Sequence, residues 1–549
     1  MARWRLCSVV FVALIICAGA AQAQVQENWS HVYAGPGDHD DMAVGVGFDA
    51  DSNCYVASSS TDGDDWDFLV GKYNAAGGVE WEIPVNGPND TLDYAMAMTA
   101  DADGNCFVTG WCSVRGSTEH QILLTKVNTA GTVDWAYPYQ IGGDGVVRQL
   151  IADSSGNLII VGMSNFGGYI AYVAKFSPSG DSLWARSYNW AGTNVGNGQR
   201  VSCTPDGRIF IAGTTYNGGG NLDDILTVMF SPDGDTLWGR VYDGPDHGND
   251  VGTDVVVDAG GNVYVTGTVK NSSNSTDIVV LKYNATGTLQ WDWIYNGSSN
   301  SDDAPVGIKL DQDGYICIGA QTKEIGSSRD LAFFKLSPNG DSVLYSFIPS
   351  IYGQRAYAMA LDAQGNVYIA GNRNSGFDDD FVTVKFDGAT GDVDWEMTWE
   401  SVGDDRATHI CVGNEDQVGV AGYMNPEGEP DTKKDIGIVT YHASPVGVFE
   451  STENGPPREF GLHQNVPNPF NATTVISFDV TGGGAAELTI FNLLGQRVLT
   501  HREDGLAPGS YRFEWDGRDE HSRSLPSGVY LYQLRTGSEM QTRKMVLLK

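Results

Sequence analysis

An Asp-led turn motif recurs along the chain at spacings of 52, 52, 51, 54, 53, 51 and 51 residues, beginning at Asp49, Asp101, Asp153, Thr204, Asp258, Asp311, Asp362 and, degenerately, Gly413. A fixed period of about 50 residues commits a chain to modular architecture, each copy one supersecondary unit stacked on the next. In the copy Asp101-Ala-Asp-Gly-Asn-Cys-Phe-Val-Thr-Gly, Asp, Gly and Asn separate alternating apolar runs. Those residues accept the backbone angles of a tight turn, so the motif reads as a hairpin.

A second motif is interleaved with the first. Asp67-Phe-Leu-Val-Gly-Lys72-Tyr73 leads through Gly77 to Trp81, and its counterparts end in Trp135, Trp184, Trp238, Trp291, Leu344 and Trp395. Each repeat therefore offers four short strands, the unit of a propeller blade. The array ends in complementary phase. The strand from Asp435 to Tyr441 has no Trp strand after it, while Trp29 lies 20 residues before Asp49, as Trp81 lies 20 before Asp101. An open solenoid would need capping repeats instead. The sequence predicts an all-β chain: an eight-bladed β-propeller over residues 24–442, closed by its N-terminal strand, then a small C-terminal β-sandwich.

The repeat pattern (Asp-x-x-Gly-Asn-x-Tyr-Val-x-Gly, then Asp, five residues and Tyr or Phe, then Gly-x-x-x-Trp) resembles the bacterial β-propeller repeat family, SBBP. The resemblance implies an exported bacterial protein and no particular chemistry.

Export is also read from the start of the chain. Arg3 and Arg5 precede an apolar run from Leu6 to Ala18, which ends in Ala21-Gln22-Ala23. These are the parts of a secretory signal peptide, residues 1–23, cut after Ala23. The run is too short for a membrane span of roughly 20 residues, and no later stretch qualifies, so no transmembrane segment is expected. Cys7 and Cys17 leave with the signal; Cys54, Cys106, Cys112, Cys203, Cys317 and Cys411 remain. They show no metal-ligand spacing and mostly fall in apolar runs, so they read as mainly free, buried thiols, with room for one or two bridges.

Residues 443–460, with Pro445, Gly455, Pro456 and Pro457, read as a linker. Beyond them, alternating apolar segments at 474–480, 486–491, 511–515, 529–534 and 545–548 predict the sandwich. Asn465-Val-Pro-Asn468-Pro469-Phe470, Ile490 through Gly495, Trp515-Asp-Gly517, Ser527-Gly528-Val-Tyr530 and Lys544 through Lys549 resemble the type IX secretion C-terminal sorting domain over 461–549. The resemblance implies handling by the type IX machinery and delivery to the surface of, or outside, a two-membraned bacterium. From Pro457 onward ten Lys or Arg balance ten Asp or Glu, so the formal net charge of −36 belongs to the propeller. Such a surface repels nucleic acid and anionic lipid.

No catalytic signature is present: no Gly-x-Ser-x-Gly, no His-Glu-x-x-His, no Walker loop and no dinucleotide fingerprint. The site-like feature is positional. Asp41, Asp93, Asp250, Asp303 and Asp405 stand eight residues before their turns, at the start of the channel-lining strand, with Gly145, Gly196 and Gln354 breaking the set. Asp67, Asp224, Asp277, Asp330, Asp380 and Asp435 stand at the start of the third strand. Both sets are expected on one acidic ligand face around the channel mouth. Carboxylates ~7 Å apart in water repel by only about 0.6 kcal/mol, and Asp suits strand starts by bonding to backbone, so a structural role precedes a calcium or cationic-partner site. Asp101-Ala-Asp103 and Asp311-Gln-Asp313 lack the closing acidic ligand of a calcium loop and read as turns.

The stretch from Asp387 to Trp395 resembles the tryptophan-docking motif of quinoprotein dehydrogenases, but only this repeat fits and the adjacent Cys pair is missing. The Trp series reads instead as inter-blade packing. Trp66, Trp111, Phe166, Tyr169, Tyr216 and Phe377 fall in loops of the expected ligand face, where aromatics suit sugars or cations. The reading is a non-enzymatic, monomeric surface or secreted propeller binding an extracellular protein or glycan, with no required cofactor or metal. A propeller enzyme, quinoprotein or polysaccharide-degrading, and a purely structural surface protein are the alternatives.

Overall fold

The computed structural model describes residues 25–548, except 34–39, 62–64, 88–91, 102, 114–119, 141–143, 166–168, 189–194, 217–222, 325–327, 377, 400–402, 414–416, 426–433, 444–449, 453–459, 471–473, 516, 518–524 and 538. The expected signal peptide, residues 1–23, and Lys549 lie outside the described residues. All regular structure among the described residues is strand, and no helix there is long and apolar enough to cross a membrane. The chain divides into two compact units, Gln26–His442 and one that begins at Ala443.

Four-stranded antiparallel sheets follow one another through the first unit: blade 1 (42–85), blade 2 (93–139), blade 3 (144–188), blade 4 (195–242), blade 5 (251–295), blade 6 (304–348) and blade 7 (354–399). Blade 8 has three consecutive strands, Arg406–Val412, Val418–Met424 and Asp435–Ala443, and takes its outer strand, Val25–Tyr33, from the other end of the unit. Each inner strand packs beside its successor, and Arg406–Val412 packs beside Met42–Phe48 of blade 1. The propeller is therefore an eight-bladed closed ring, as the phase of Trp29 predicts.

The turn Asp organises the first hairpin in six of the eight blades, Thr204 and Gly413 standing at that position in blades 4 and 8. Asp49 accepts hydrogen bonds from the backbone N–H of Asp51 (3.0 Å) and Asn53 (2.9 Å), from the Asn53 side chain (2.8 Å) and from the Tyr55 hydroxyl (3.0 Å). In two blades the third-strand lysine adds an ion pair, Lys175 with Asp153 and Lys335 with Asp311, each at 2.9 Å. Asp101 and Asp311 likewise take the N–H groups of Asp103 and Asn105 and of Asp313 and Tyr315, which makes both segments hairpin turns. Every inner strand also carries a one-residue bulge at the same repeat position, from Val44 in blade 1 to Thr408 in blade 8. A bulge increases local twist, which suits a blade that fans outward from the ring axis.

The core lies between blades. Tyr55, Phe68, Val108 and Leu123, for example, are fully buried in one cluster of blades 1 and 2. The outer-strand tryptophans reach the next blade: the indole N–H of Trp184, Trp238 and Trp291 donates to the carbonyls of Pro232 (2.9 Å), Ala285 (3.2 Å) and Pro338 (3.3 Å).

The second unit is a two-sheet sandwich. One sheet orders Glu450–Thr452, Gly509–Trp515, Thr474–Val480 and Gly461–Leu462; the other orders Arg497–Leu506, Gly484–Phe491, Gly528–Thr536 and Glu539–Leu547. Glu450–Thr452 falls within the stretch read as linker and pairs instead with Gly509–Trp515, through Ser451 opposite Tyr511. Trp515, Phe513, Phe478, Tyr532 and Leu547 fill the space between the sheets.

Candidate functional site

The sequence places the first Asp set on an open rim; the structure buries it. Asp41, Asp250, Asp303 and Asp405 have no exposed surface and Asp93 has 1%. Each sits in the seam between two blades. Asp303 accepts the N–H of Gly297, six residues earlier, at 2.6 Å and that of Lys323, twenty residues later, at 3.0 Å. Its own N–H donates to Thr276 of the preceding blade at 2.8 Å. Asp250 repeats the pattern with Gly244, Lys270 (3.0 Å) and Asp223 (2.7 Å). Asp93 accepts from Gly87, Asp41 from Thr61 (3.3 Å) and Asp405 from Asn425 (3.1 Å). These carboxylates are latches that satisfy backbone donors at strand ends, where an unpaired buried N–H is costly. Sequence period locates the positions but carries no sign of their burial.

The second set meets the first at four seams, because the latch N–H donates to the residue just before the second-set position: Lys434, Asp223, Thr276 and Asp379 for Asp41, Asp250, Asp303 and Asp405. Asp277, Asp330, Asp380 and Asp435 are buried, and Asp67 and Asp224 are half-buried. Burial raises the carboxyl of Asp250, and neighbouring Asp224 raises it further against the N–H groups of Gly244 and Lys270. Burial likewise pushes Asp303 up to about 6, with Asp277 and Glu324 adding to it. Asp224, Asp243 and Asp250 bring carboxylate oxygens within 4.8 Å of one another. One oxygen from each would supply three of the six to eight oxygens calcium takes.

Of the loop aromatics, Trp66 and Trp111 flank Tyr94, Trp66 tilted at 5.1 Å and Trp111 stacked at 5.8 Å. Phe166 and Phe377, and the side chains of Tyr169 and Tyr216, lie outside the described residues. Trp395 faces Tyr368 and Tyr441, each at 5.9 Å, and so packs between blades 7 and 8.

A different place is open. A pocket of about 500 Å³ lies between blades 6 and 7, with Lys323, Arg329, Arg355, Tyr352, Gln354 and Asn372 in its wall. Gln354 occupies the latch position of blade 7. Its N–H still donates to the carbonyl of Arg329 (2.7 Å), but its Oε1 accepts the N–H of Leu331 (3.3 Å). The N–H twenty residues on, at Asn374, turns to the carbonyl of Gly353 (3.0 Å). Two carboxylates also line the pocket, and both are engaged: Asp302 accepts the N–H of Thr276 (3.1 Å) and Asp379 the side chain of Asn374 (2.9 Å). None of the three cations has an ion-pair partner among the described residues. Sequence reading noted Gln354 only as a break in the Asp set. Overlaying the eight repeats and asking where cations meet a neutral latch in one seam would have singled out Arg329 and Arg355, since Lys434 and Arg406 of blade 8 lie in seams with Asp41 and Asp405.

In the second unit, the sorting-motif residues divide between core and surface. Phe470 is buried against Trp515 (5.6 Å), as is Tyr530 (5.7 Å), whose hydroxyl donates to Pro526 (2.8 Å). Asn468 is exposed and accepts the N–H of Val546 at 2.9 Å, tying the motif to the last strand. Pro469, Gly495 and Lys544 are exposed, and Gly528 is half-buried.

Residues 466–548 match the secretion system C-terminal sorting domain. The tail is a type IX sorting domain, the mark of proteins exported to the cell surface or secreted by Gram-negative bacteria. Over 510 residues the chain is 21% identical to an uncharacterised WD repeat-containing protein of Acanthamoeba polyphaga mimivirus, a match covering 75% of this chain and 34% of that protein; the chain spans about a third of that relative. Among solved structures, PorZ, a surface component of the type IX secretion system of Porphyromonas gingivalis, is 14% identical, with 92% of this chain and 74% of that one covered and a TM-score of 0.34. The polysaccharide lyase Uly1 is 9% identical, with 63% and 89% covered and a TM-score of 0.38. A puromycin hydrolase is 11% identical, with 70% and 60% covered and a TM-score of 0.41.

Proposed function

We propose that the protein is a non-enzymatic binding module displayed outside the cell, which holds an extracellular glycan in the pocket between blades 6 and 7. The observation that carries this reading is the pocket itself: a polar cavity at the one latch position where Gln replaces an acidic or glycine residue. A closed ring holds the pocket walls, which come from two blades, at fixed separation, and preorganised walls lower the entropic cost of binding. The sorting domain supplies the destination, and the module meets the secretion machinery on its way there.

The test is to incubate the full chain with a panel of extracellular polysaccharides and measure both retention and polymer length. Saturable binding with unchanged length supports the reading. New chain ends or unsaturated sugar products would replace it with the polysaccharide-degrading alternative. No binding to any glycan would overturn it.

A further inference from the structure

We infer that the pocket between blades 6 and 7 takes an acidic sugar unit, its hydroxyls against Gln354 and Asn372 and its carboxylate or sulfate ester among Lys323, Arg329 and Arg355. The inference rests on the glycan-binding reading and names the class of glycan.

Two buried atoms in the pocket wall point to hydroxyls. Gln354 is 1% exposed and Asn372 2% exposed, and both line the cavity. The Gln354 Nε2 and the Asn372 Oδ1 are buried without a hydrogen-bond partner. Buried polar groups are almost always satisfied, so each such exception asks for a ligand or water to complete it. One atom donates and the other accepts. A sugar hydroxyl does both, accepting from the amide and donating to the carbonyl oxygen.

The charge of the unit follows from the departures from the repeat. At the latch position five blades carry Asp, whereas blade 7 carries the neutral Gln354. Just before the third strand, where blade 6 has Arg329, blades 4, 5 and 7 have Asp223, Thr276 and Asp379; blade 8 has Lys434, but its seam keeps the acidic latch Asp41. Just after the latch, where blade 7 has Arg355, blades 1, 2, 5 and 6 have Met42, Tyr94, Val251 and Ala304; blade 8 has Arg406, but its seam keeps the acidic latch Asp405 and Asp379. The seam between blades 6 and 7 is thus the one where both positions carry a cation and the latch between them is neutral, on a chain of net charge −36. Guanidinium groups favour carboxylate and sulfate oxygens, which they bind in pairs. Tyr352, 62% exposed at the pocket wall, offers a face on which a sugar ring can lie.

The experiment is calorimetric titration of the full chain with matched oligosaccharides: a hexuronate oligomer, a sulfated oligomer and the neutral oligomer of the same linkage. At least one acidic oligomer is expected to bind tenfold or more tightly than the neutral one, and comparing the two acidic arms identifies the anionic group. Gln354→Asp installs the latch residue of five other seams, so it keeps the melting temperature and weakens the acidic ligand tenfold or more. Arg329→Gln is expected to weaken it likewise. Equal binding of neutral and acidic oligomers would overturn this inference and leave the glycan-binding reading standing, whereas no binding of any oligomer would overturn both. Undiminished acidic binding by both variants would place the ligand elsewhere and overturn the inference.

Discussion

Trp29 lies against Gly77 across the point where the ring closes: a Cβ built at Gly77 would come within 2.5 Å of the indole. Trp29 belongs to the outer strand of blade 8 and Gly77 to the turn before the outer strand of blade 1. Trp238 and Gly287 stand in the same relation between blades 4 and 5, at 2.6 Å. Both glycines have positive φ, 82° and 76°, so the turn that admits the indole also needs a residue without Cβ. The ring closes through the same contact that joins its interior blades.

Trp29 is 8% exposed and packs against Tyr73 at 5.6 Å. Trp29→Ala should therefore cost about 3–5 kcal/mol, the usual range for a buried Trp. Urea unfolding of the variant measures it. A cost below about 1 kcal/mol, the scale of an ordinary surface substitution, would contradict closure by the N-terminal strand.

The latches make a separate prediction. Asp250→Ala strips the acceptor from the N–H groups of Gly244 and Lys270. The expected net loss is about 1–3 kcal/mol, since relief of the repulsion from Asp224 offsets part of the unsatisfied donors. Equilibrium denaturation of Asp250→Ala and Asp250→Asn should rank Ala as the more damaging, because Asn keeps one acceptor oxygen.

The seam carboxylates also set a pH dependence. The carboxyls of Asp250, Asp277 and Asp303 are raised by burial, Asp303 to about 6. A raised carboxyl binds its proton more tightly folded than unfolded, so its ionisation penalises the folded state above the folded pKa, and protonation relieves the penalty as pH falls. Carboxylates held low, such as Asp153 and Glu324, stay ionised in both states until far lower pH and do not oppose this. The imidazole of His409, which burial pushes down to about 4, does oppose it, because the unfolded chain takes up that proton first as pH falls. Asp303→Asn isolates the seam contribution: the variant should melt higher than the parent at pH 7.5, by a margin that shrinks towards pH 5. A margin that stays constant or grows over the window would contradict the seam assignment.

Six cysteines of the described chain are free: Cys54, Cys106, Cys112 and Cys317 buried, Cys203 and Cys411 half-buried. Burial pushes the thiols of Cys106, Cys112, Cys317 and Cys411 up to about 12. At pH 8 these four should react with a disulfide reagent only on the time scale of unfolding. In denaturant without reductant all six should titrate; a count of four or two would show bridges.

The blades were legible because turn chemistry repeats: Asp101 and Gly104 announce a hairpin whatever surrounds them. Closure was legible because Trp29 has the phase of the missing strand. The sorting domain was legible in its motif blocks, although Glu450–Thr452 is too short to stand out from a linker. The Asp latches were located but misjudged, since Asp303 reads as surface until the N–H groups of Gly297 and Lys323 are seen to converge on it. The pocket was not legible from motifs at all. Its character comes from departures of two neighbouring repeats, Arg329 in one and Gln354 and Arg355 in the next, and Lys323, Arg329, Tyr352 and Asn372 meet only when those two blades are side by side.

The central claim is that ligand is held between blades 6 and 7, and hydrogen exchange of the full chain with and without a saturating bound glycan tests it most directly. Among the described residues, the account predicts added protection confined to 301–303, 323–324, 328–331, 350–355, 372–376 and 378–379, which carry the pocket wall. Protection on another pair of blades, or none at saturation, would contradict it.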